Sequence, residues 1–292
     1  MTRLEQGRIV KGVGGLYTVM VRETAYACQA RGLFRKQKIT PLVGDEVDIQ
    51  IIDDERNEGY LHTIHKRRNE LIRPKAANVD LALVVFAAAN PEIHLDLLDS
   101  FLLSCAVQNV DAAICINKTD LESESFVDDI VSEYVTAGYP VIRVSAESGT
   151  GLAALRALVH DKIVIFAGPS GVGKSSLINA ILPEARMETG ELSHKLARGK
   201  HTTRHTELLP VDGSTFILDS PGFSSLGIGH IALADLQTLY PEFQAYAGQC
   251  FYRDCLHVSE PDCAVRLHLG GTIGTRRYER YLVFLERIKN AR

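Results

Sequence analysis

Eight consecutive residues, Gly168-Pro169-Ser170-Gly171-Val172-Gly173-Lys174-Ser175, carry the most specific chemistry in this 292-residue chain. They follow the apolar, β-prone run Ile163-Val164-Ile165-Phe166-Ala167 and lead into a helix-prone segment, the context that a phosphate-cradling loop requires. Glycines let successive backbone N–H groups turn inward onto phosphate oxygens, and a helix start adds a favourable dipole. In such a loop Lys174 bridges the β- and γ-phosphates and Ser175 Oγ ligates Mg²⁺, with Ser176 beside it in the nucleotide-binding set. A second element, Asn117-Lys118-Thr119-Asp120, follows the run Ala112-Ala113-Ile114-Cys115-Ile116. A carboxylate at Asp120 accepts from both N1–H and the exocyclic amine of guanine, a donor pair that adenine lacks. The Lys118 stem would lie over the base. Alone, this tetrapeptide is a weak signal, read first as a loop cap after a strand; beside a complete phosphate loop the balance reverses and it points to guanine.

Two weaker signals fall into line behind these. Ser145-Ala146 follows Val141-Ile142-Arg143-Val144 and fits a loop whose backbone N–H faces the guanine carbonyl. Asp219-Ser220-Pro221-Gly222 follows Ser214-Thr215-Phe216-Ile217-Leu218 and fits a γ-phosphate sensor. There Asp219 holds Mg²⁺ through water, and the Gly222 N–H bonds the γ-phosphate. Farther on, Cys250-x4-Cys255-x-His257-x5-Cys263 offers three thiolates and one imidazole. Cys3His is a closed tetrahedral zinc set, so a structural Zn²⁺ is expected.

The order is thus base loop, second base loop, phosphate loop, then metal loop, a rotation of the arrangement in common small GTPases. In this order, and with the cysteine cluster behind it, the chain resembles the circularly permuted GTPases of ribosome assembly. More narrowly it resembles the RsgA (YjeQ, YloQ) family, and the resemblance covers nearly all of it. It implies GTP hydrolysis stimulated by the small (30S) ribosomal subunit, contact with that subunit's rRNA, and a monomeric cytoplasmic protein that cycles between GTP and GDP. It also implies that a switch-loop histidine orients the attacking water, because Phe223 stands where familiar GTPases place a glutamine. His201 fits, with His205 or a group supplied in trans as alternatives. A threonine of Gly199-Lys200-His201-Thr202-Thr203-Arg204-His205 should close on Mg²⁺; Thr202 and Thr203 both qualify, and Thr203 is preferred.

Three kinds of element must hold these loops. Gly-punctuated β-leaning segments fill residues 1–74, the spacing of a five-strand OB-type barrel. Its basic stretches, residues 31–38 and Lys66-Arg67-Arg68, would lie on loops or at its exit, as RNA contacts or as a solvated charged rim. Between 75 and 230, strands alternate with helices expected at 94–108, 125–137 and 151–159. The run Leu81-Ala82-Leu83-Val84-Val85-Phe86 has the continuous apolar character of a parallel strand buried on both faces, so this is an α/β P-loop domain. Residues 231–292 form a mainly helical zinc-binding domain, with Tyr278, Tyr281 and Phe284 as the packing stripe of a helix over 275–289.

Bulk composition agrees. A hydrophobic fraction of 46% with 23% charged residues suits globular domains, and the longest apolar runs are too short to cross a bilayer. The N-terminal residues lack the apolar core of a signal peptide. The net charge of −4 hides a basic first segment (13 Lys+Arg against 10 Asp+Glu in residues 1–74) and an acidic middle. Cys28, Cys105 and Cys115 are scattered and read as core residues. Rival readings are an ATP-using kinase or ATPase, an RNA-binding scaffold with a vestigial nucleotide site, and a permuted GTPase of the large subunit. Asn117 and Asp120 argue against the first, and the barrel with its Cys3His tail argues against the last.

Overall fold

The structure, a computed structural model, describes residues 3–36, 38–122, 124–182, 206–223 and 231–291. The first segment holds β1 (Arg3–Val13), β2 (Leu16–Val21), β3 (Thr24–Ala30), a short α1 (Gly32–Lys36), β4 (Glu46–Asp53) and β5 (Glu58–Ile64). A small ladder of β6 (Glu70–Leu71) and β7 (Ala76–Ala77) follows. Then come β8 (Leu81–Ala87), α2 (Leu95–Val107), β9 (Asp111–Asn117), α3 (Glu124–Thr136), β10 (Val141–Arg143), α4 (Leu152–Val159), β11 (Ile163–Ala167) and α5 (Lys174–Ile181). β12 (Glu207–Pro210) and β13 (Phe216–Phe223) precede the tail. There, short helices Leu233–Leu236, Pro241–Gln244 and Ala264–Leu267 lead to a C-terminal helix, Thr275–Asn290.

These elements form two compact units that interlace along the chain. One comprises Met1–Ala82, Leu152–Ala167 and Lys174–Phe223; the other comprises Leu83–Gly151, Gly168–Gly173 and Ser224–Arg292.

In the first unit, β1 pairs with both β2 and β4, β2 with β3, and β3 and β4 each with β5, so the five strands close into a ring. Closure removes every open edge, the economy of an OB-type barrel. Alternation along the strands sends Ile9, Val19, Cys28, Val47, Ile49 and Leu61 inward, each with no exposed surface. β12 pairs with β1 on one side and with β13 on the other, and β13 runs parallel to β11. At the barrel exit two of the three basic residues, Arg67 and Arg68, prove to be structural, while Lys66 is exposed. Arg67 grips the fully buried Asp45 with two nitrogens at 2.7 and 2.8 Å and also bonds Glu70, while Arg68 pairs with Asp80. Such bidentate pairing fixes the chain where it leaves the barrel.

In the second unit, β8, β9 and β10 lie side by side, with β10 parallel to β9. All seven residues of β8 are buried, as a strand covered on both faces requires. The tail packs into this unit through one core that joins Leu103 of α2 to Leu236, Tyr240, Phe243, Tyr281, Phe284 and Ile288. Tyr278, Tyr281 and Phe284 are buried, the role their spacing predicts. Beside them runs an ionic cluster. Arg277, 2% exposed, donates to Asp99 of α2 at 2.5 Å and to Glu242 at 2.8 Å. Arg280 bonds the other Asp99 oxygen at 2.5 Å and also Glu133 of α3, and the Tyr134 hydroxyl donates to Asp99 at 2.7 Å. Tyr134, Tyr139 and Tyr240 present ring faces to the Arg277 guanidinium at 5.4, 5.6 and 4.8 Å.

A carboxylate so enclosed is tolerable only while its donors remain. Asp99→Ala leaves two guanidiniums without their shared partner and should destabilise this unit by about 3–5 kcal/mol. A fall in thermal midpoint on the order of 10 °C, read by circular dichroism, checks it.

Candidate nucleotide site and metal centre

Asn117 ends β9, fully enclosed, and its side chain joins three loops. Its Nδ2 donates to the carbonyl of Val172 in the glycine loop at 2.9 Å, and its Oδ1 accepts from the Ala146 N–H at 3.2 Å. Lys118 follows with φ +60°, an unfavourable conformation for a lysine. What holds it there is its ammonium, which donates to the Gly171 carbonyl at 2.8 Å and to the Asn90 carbonyl. Thr119 donates from its hydroxyl to the Val144 carbonyl at 3.2 Å. Asp120 lies in the short 3₁₀ turn Thr119–Leu121 with its carboxylate exposed, open to a base. Ser145 is buried; its Oγ accepts from the Ser148 N–H at 3.1 Å, which folds the 145–150 loop.

The glycine loop needs its glycines. At Gly168, φ +130°, a Cβ would lie 2.1 Å from the Val85 carbonyl oxygen; at Gly173, φ +91°, it would lie 2.3 Å from Asn117 Nδ2. Any side chain at either place would force the loop off β8 or off the asparagine. Val172 is fully buried and anchors the loop, while Ser170 and Gly171 are exposed at its outer curve. Lys174 and Ser175 open α5, and burial holds the Lys174 ammonium below the usual lysine range. A partly desolvated cation at a helix start favours an anion in front of it. Ser175 and Ser176 are exposed on the first turn.

Asp219 follows Leu218, whose register partner is Ile165 of β11. It therefore lies on the C-terminal side of that pair, one residue beyond Leu218. Between the pairs Ile165–Leu218 and Ala167–Phe223, two steps on β11 face five on β13, and this bulge accommodates Asp219-Ser220-Pro221-Gly222. His201, Thr202, Thr203 and His205 lie outside the described residues.

The tail cluster has the dimensions of a metal cage. His257 Nδ1 stands 3.5, 3.4 and 3.3 Å from the sulfurs of Cys250, Cys255 and Cys263, and Cys250 Sγ is 4.0 Å from Cys263 Sγ. A tetrahedral zinc with bonds of about 2.0–2.3 Å spaces its ligands by about 3.5–3.8 Å, so the set is compatible with zinc. Gln237 Oε1 lies 2.7 Å from His257 Nε2. That bond assigns the proton to Nε2 and leaves the Nδ1 lone pair for a cation. Burial lowers the His257 pKa and raises those of Cys255 and Cys263, so a cation must displace the thiol protons. Tyr278 and Tyr281 donate to the carbonyls of His257 and Leu256 at 2.7 and 2.8 Å, fastening the loop to the C-terminal helix.

Comparison with known proteins completes this picture. The family described as RsgA GTPase matches residues 64–229, and the RsgA N-terminal domain matches residues 6–61. A small ribosomal subunit biogenesis GTPase RsgA of Alkaliphilus metalliredigens is 44% identical over 290 residues, 99% of each chain. The chain belongs to the RsgA GTPase family. Another RsgA, from Caldanaerobacter subterraneus subsp. tengcongensis, is 45% identical over 97% of this chain and 96% of its own. Among solved structures, YloQ, a circularly permuted GTPase, superposes with TM-score 0.83 at 35% identity, covering 99% of this chain and 96% of its own. YjeQ from Thermotoga maritima gives 0.84 at 32% identity, covering 99% and 100%. Permutation, barrel and tail thus agree with the RsgA architecture along the whole chain.

The contacts that fasten these loops carry no signature in the sequence motifs. Asn90 contributes only a carbonyl, which any residue supplies, and Gln237 sits in no motif. Arg277 and Arg280 are three apart on a helix that also carries the aromatic stripe Tyr278, Tyr281 and Phe284, and their spacing alone reads as a solvated face. Asn117→Ala removes the brace between loops and should weaken binding of a fluorescent GDP analogue about tenfold or more, the cost of orphaning buried polar groups. Equal affinity by fluorescence titration would contradict that role.

Proposed function

We propose that this RsgA-family chain hydrolyses GTP during maturation of the small ribosomal subunit, and that the subunit accelerates the reaction. The observation that carries the reading is the Asn117 side chain. By tying Val172 and Ala146 together it puts a phosphate-type loop and a guanine-type loop on one support. The biogenesis role follows from the names borne by relatives that match the chain end to end.

In this mechanism the Asp120 carboxylate selects guanine, Lys118 covers the base, and the Ala146 loop faces its carbonyl. Backbone N–H groups of Gly168, Ser170, Gly171, Val172 and Gly173 wrap the phosphates. Lys174 stabilises charge on the transferring group, and Ser176 completes the first turn of the nucleotide-binding helix. Ser175 Oγ and Asp219, both hard oxygen donors, suit Mg²⁺, which when bound neutralises charge shared by the β- and γ-phosphates. Thr203 and the Gly222 N–H close on the γ-phosphate, and His201 orients the water for in-line attack. GDP and inorganic phosphate are the products.

The barrel of residues 1–74 serves as the rRNA-facing module, with Lys36, Lys38 and Lys66 exposed for phosphate contact. Residues 75–230 form the permuted GTPase domain and 231–292 the metal-stapled tail, with one Zn²⁺ on Cys250, Cys255, His257 and Cys263. The protein acts as a monomer in the cytoplasm, where subunits are assembled.

Two outcomes are expected. Steady-state GTP turnover by the isolated chain should be slow and rise at least about a hundredfold with purified small subunits, within the range that completion of a GTPase site gives. Lys174→Ala should abolish it and ATP should not substitute; equal rates with and without subunits would sink the proposal. Elemental analysis should find one zinc per chain, and its removal by a strong chelator should melt the tail, read as lost amide protection over 250–263.

A further inference from the structure

The six cysteines, all among the described residues, differ in what can reach them. Cys28, Cys105 and Cys115 have no exposed surface, and Cys255 and Cys263 are 3% and 2% exposed. Cys250 is the partly exposed member of the Cys3His cluster, and the outward-facing Phe251, Tyr252 and Arg253 follow it.

Backbone pairing selects a partner for it. The Phe251 N–H donates to the Asp262 carbonyl at 3.4 Å, so Cys250 and Cys263 flank one hydrogen-bonded backbone pair. Their sulfurs lie 4.0 Å apart. A disulfide needs about 2.05 Å, an approach that a partly exposed side chain on a loop can make. Cys255 is engaged otherwise. Its sulfur accepts the His257 N–H at 3.4 Å, and Gln237 Oε1 fixes the His257 ring through Nε2.

A thiolate, not a thiol, attacks an electrophile, and a bound zinc keeps its cysteines as thiolates. Oxidation of such sulfurs begins where solvent reaches and halts at a disulfide when a second thiolate stands beside the first. Cys250 meets the first condition, and Cys263 supplies the second.

We propose that Cys250 and Cys263 form a redox switch, in which hydrogen peroxide converts them to a disulfide and the zinc is released. The inference rests on the zinc reading given above. The Cys250 thiolate attacks one peroxide oxygen and the O–O bond breaks; with one proton taken up, the products are the Cys250 sulfenic acid and water. The Cys263 thiolate then attacks the Cys250 sulfur, the S–O bond breaks, and the departing hydroxide takes a proton to become a second water. Two electrons pass from the sulfurs to one peroxide. Cys255 and His257 alone do not make a closed tetrahedral site, so the cation is lost. The bridged loop contains Leu256 and His257, whose carbonyls receive the hydroxyls of Tyr281 and Tyr278. Those hydroxyls and the disulfide then hold what the metal had braced. Cys255 and His257 keep their own anchors, so a thiol reductant that opens the disulfide restores the four-ligand set.

The test uses the full-length wild type, with bound zinc measured first by elemental analysis. Hydrogen peroxide is added in modest excess and released zinc is read with a chromogenic chelator. Free thiols are then alkylated and the peptides mapped by mass spectrometry. One Cys250–Cys263 link should appear for each zinc lost, with Cys255 still open to alkylation and amide protection over 250–263 reduced. Thiol reductant with added zinc should restore that protection. In Cys263→Ser, dimedone should trap the sulfenic acid on Cys250, and Cys255→Ser should still give the Cys250–Cys263 link. The wild-type map decides even where a variant loses its fold. A link through Cys255, a first oxidation at Cys28, Cys105 or Cys115, or a zinc-loaded chain that peroxide leaves intact overturns the switch. A wild type without zinc overturns the zinc reading instead, so the two failures are distinguishable.

Discussion

The architecture of the nucleotide site depends on one buried carboxamide. Asn117 offers a donor and an acceptor at the end of β9, and it uses the first on Val172 and the second on Ala146. A carboxylate has no donor for Val172, a lysine has no acceptor for Ala146, and a glycine at 173 is the only residue that lets the asparagine approach so closely. Lys118 repeats the tactic one residue on, accepting a left-handed backbone so that its ammonium can bond two carbonyls. The loops that would hold phosphate and base are therefore fixed to each other before any ligand arrives, and such preorganisation lowers the cost of binding.

The tail belongs to the same account. Asp99 lies on α2, whose chain enters from the Asn90 turn that receives Lys118, and it is held by arginines of the C-terminal helix. That helix in turn fastens the Cys3His loop through Tyr278 and Tyr281. An unbroken series of contacts thus links the Cys3His cluster, the last helix, α2 and the base-side loops, all within one compact unit.

Much of this was legible in the sequence because the decisive motifs are short, contiguous and dictated by backbone geometry. Helix limits read from apolar patterning at 94–108 came within a residue of Leu95–Val107, since the pattern and the buried face have one cause. What was not legible involves partners far apart in the chain. Arg67 meets Asp45 across 22 positions, and nothing local distinguishes it from a solvated arginine. Carbonyl acceptors such as Asn90 leave no trace in residue type at all.

The distance along the chain between Asp99 and its arginines bears on biosynthesis. Arg277 and Arg280 are translated 178 and 181 residues after the aspartate that they neutralise. A nascent chain that has already emitted α2, α3 and even the glycine loop still lacks the cations for that buried carboxylate. The Asp99 carboxylate gains its arginine partners only when the last helix leaves the ribosome, whereas the five barrel strands, complete by Ile64, can close early. The neutralisation of Asp99 is therefore a late event of synthesis, while the brace between Asn117, Ala146 and Val172 is complete about a hundred residues earlier.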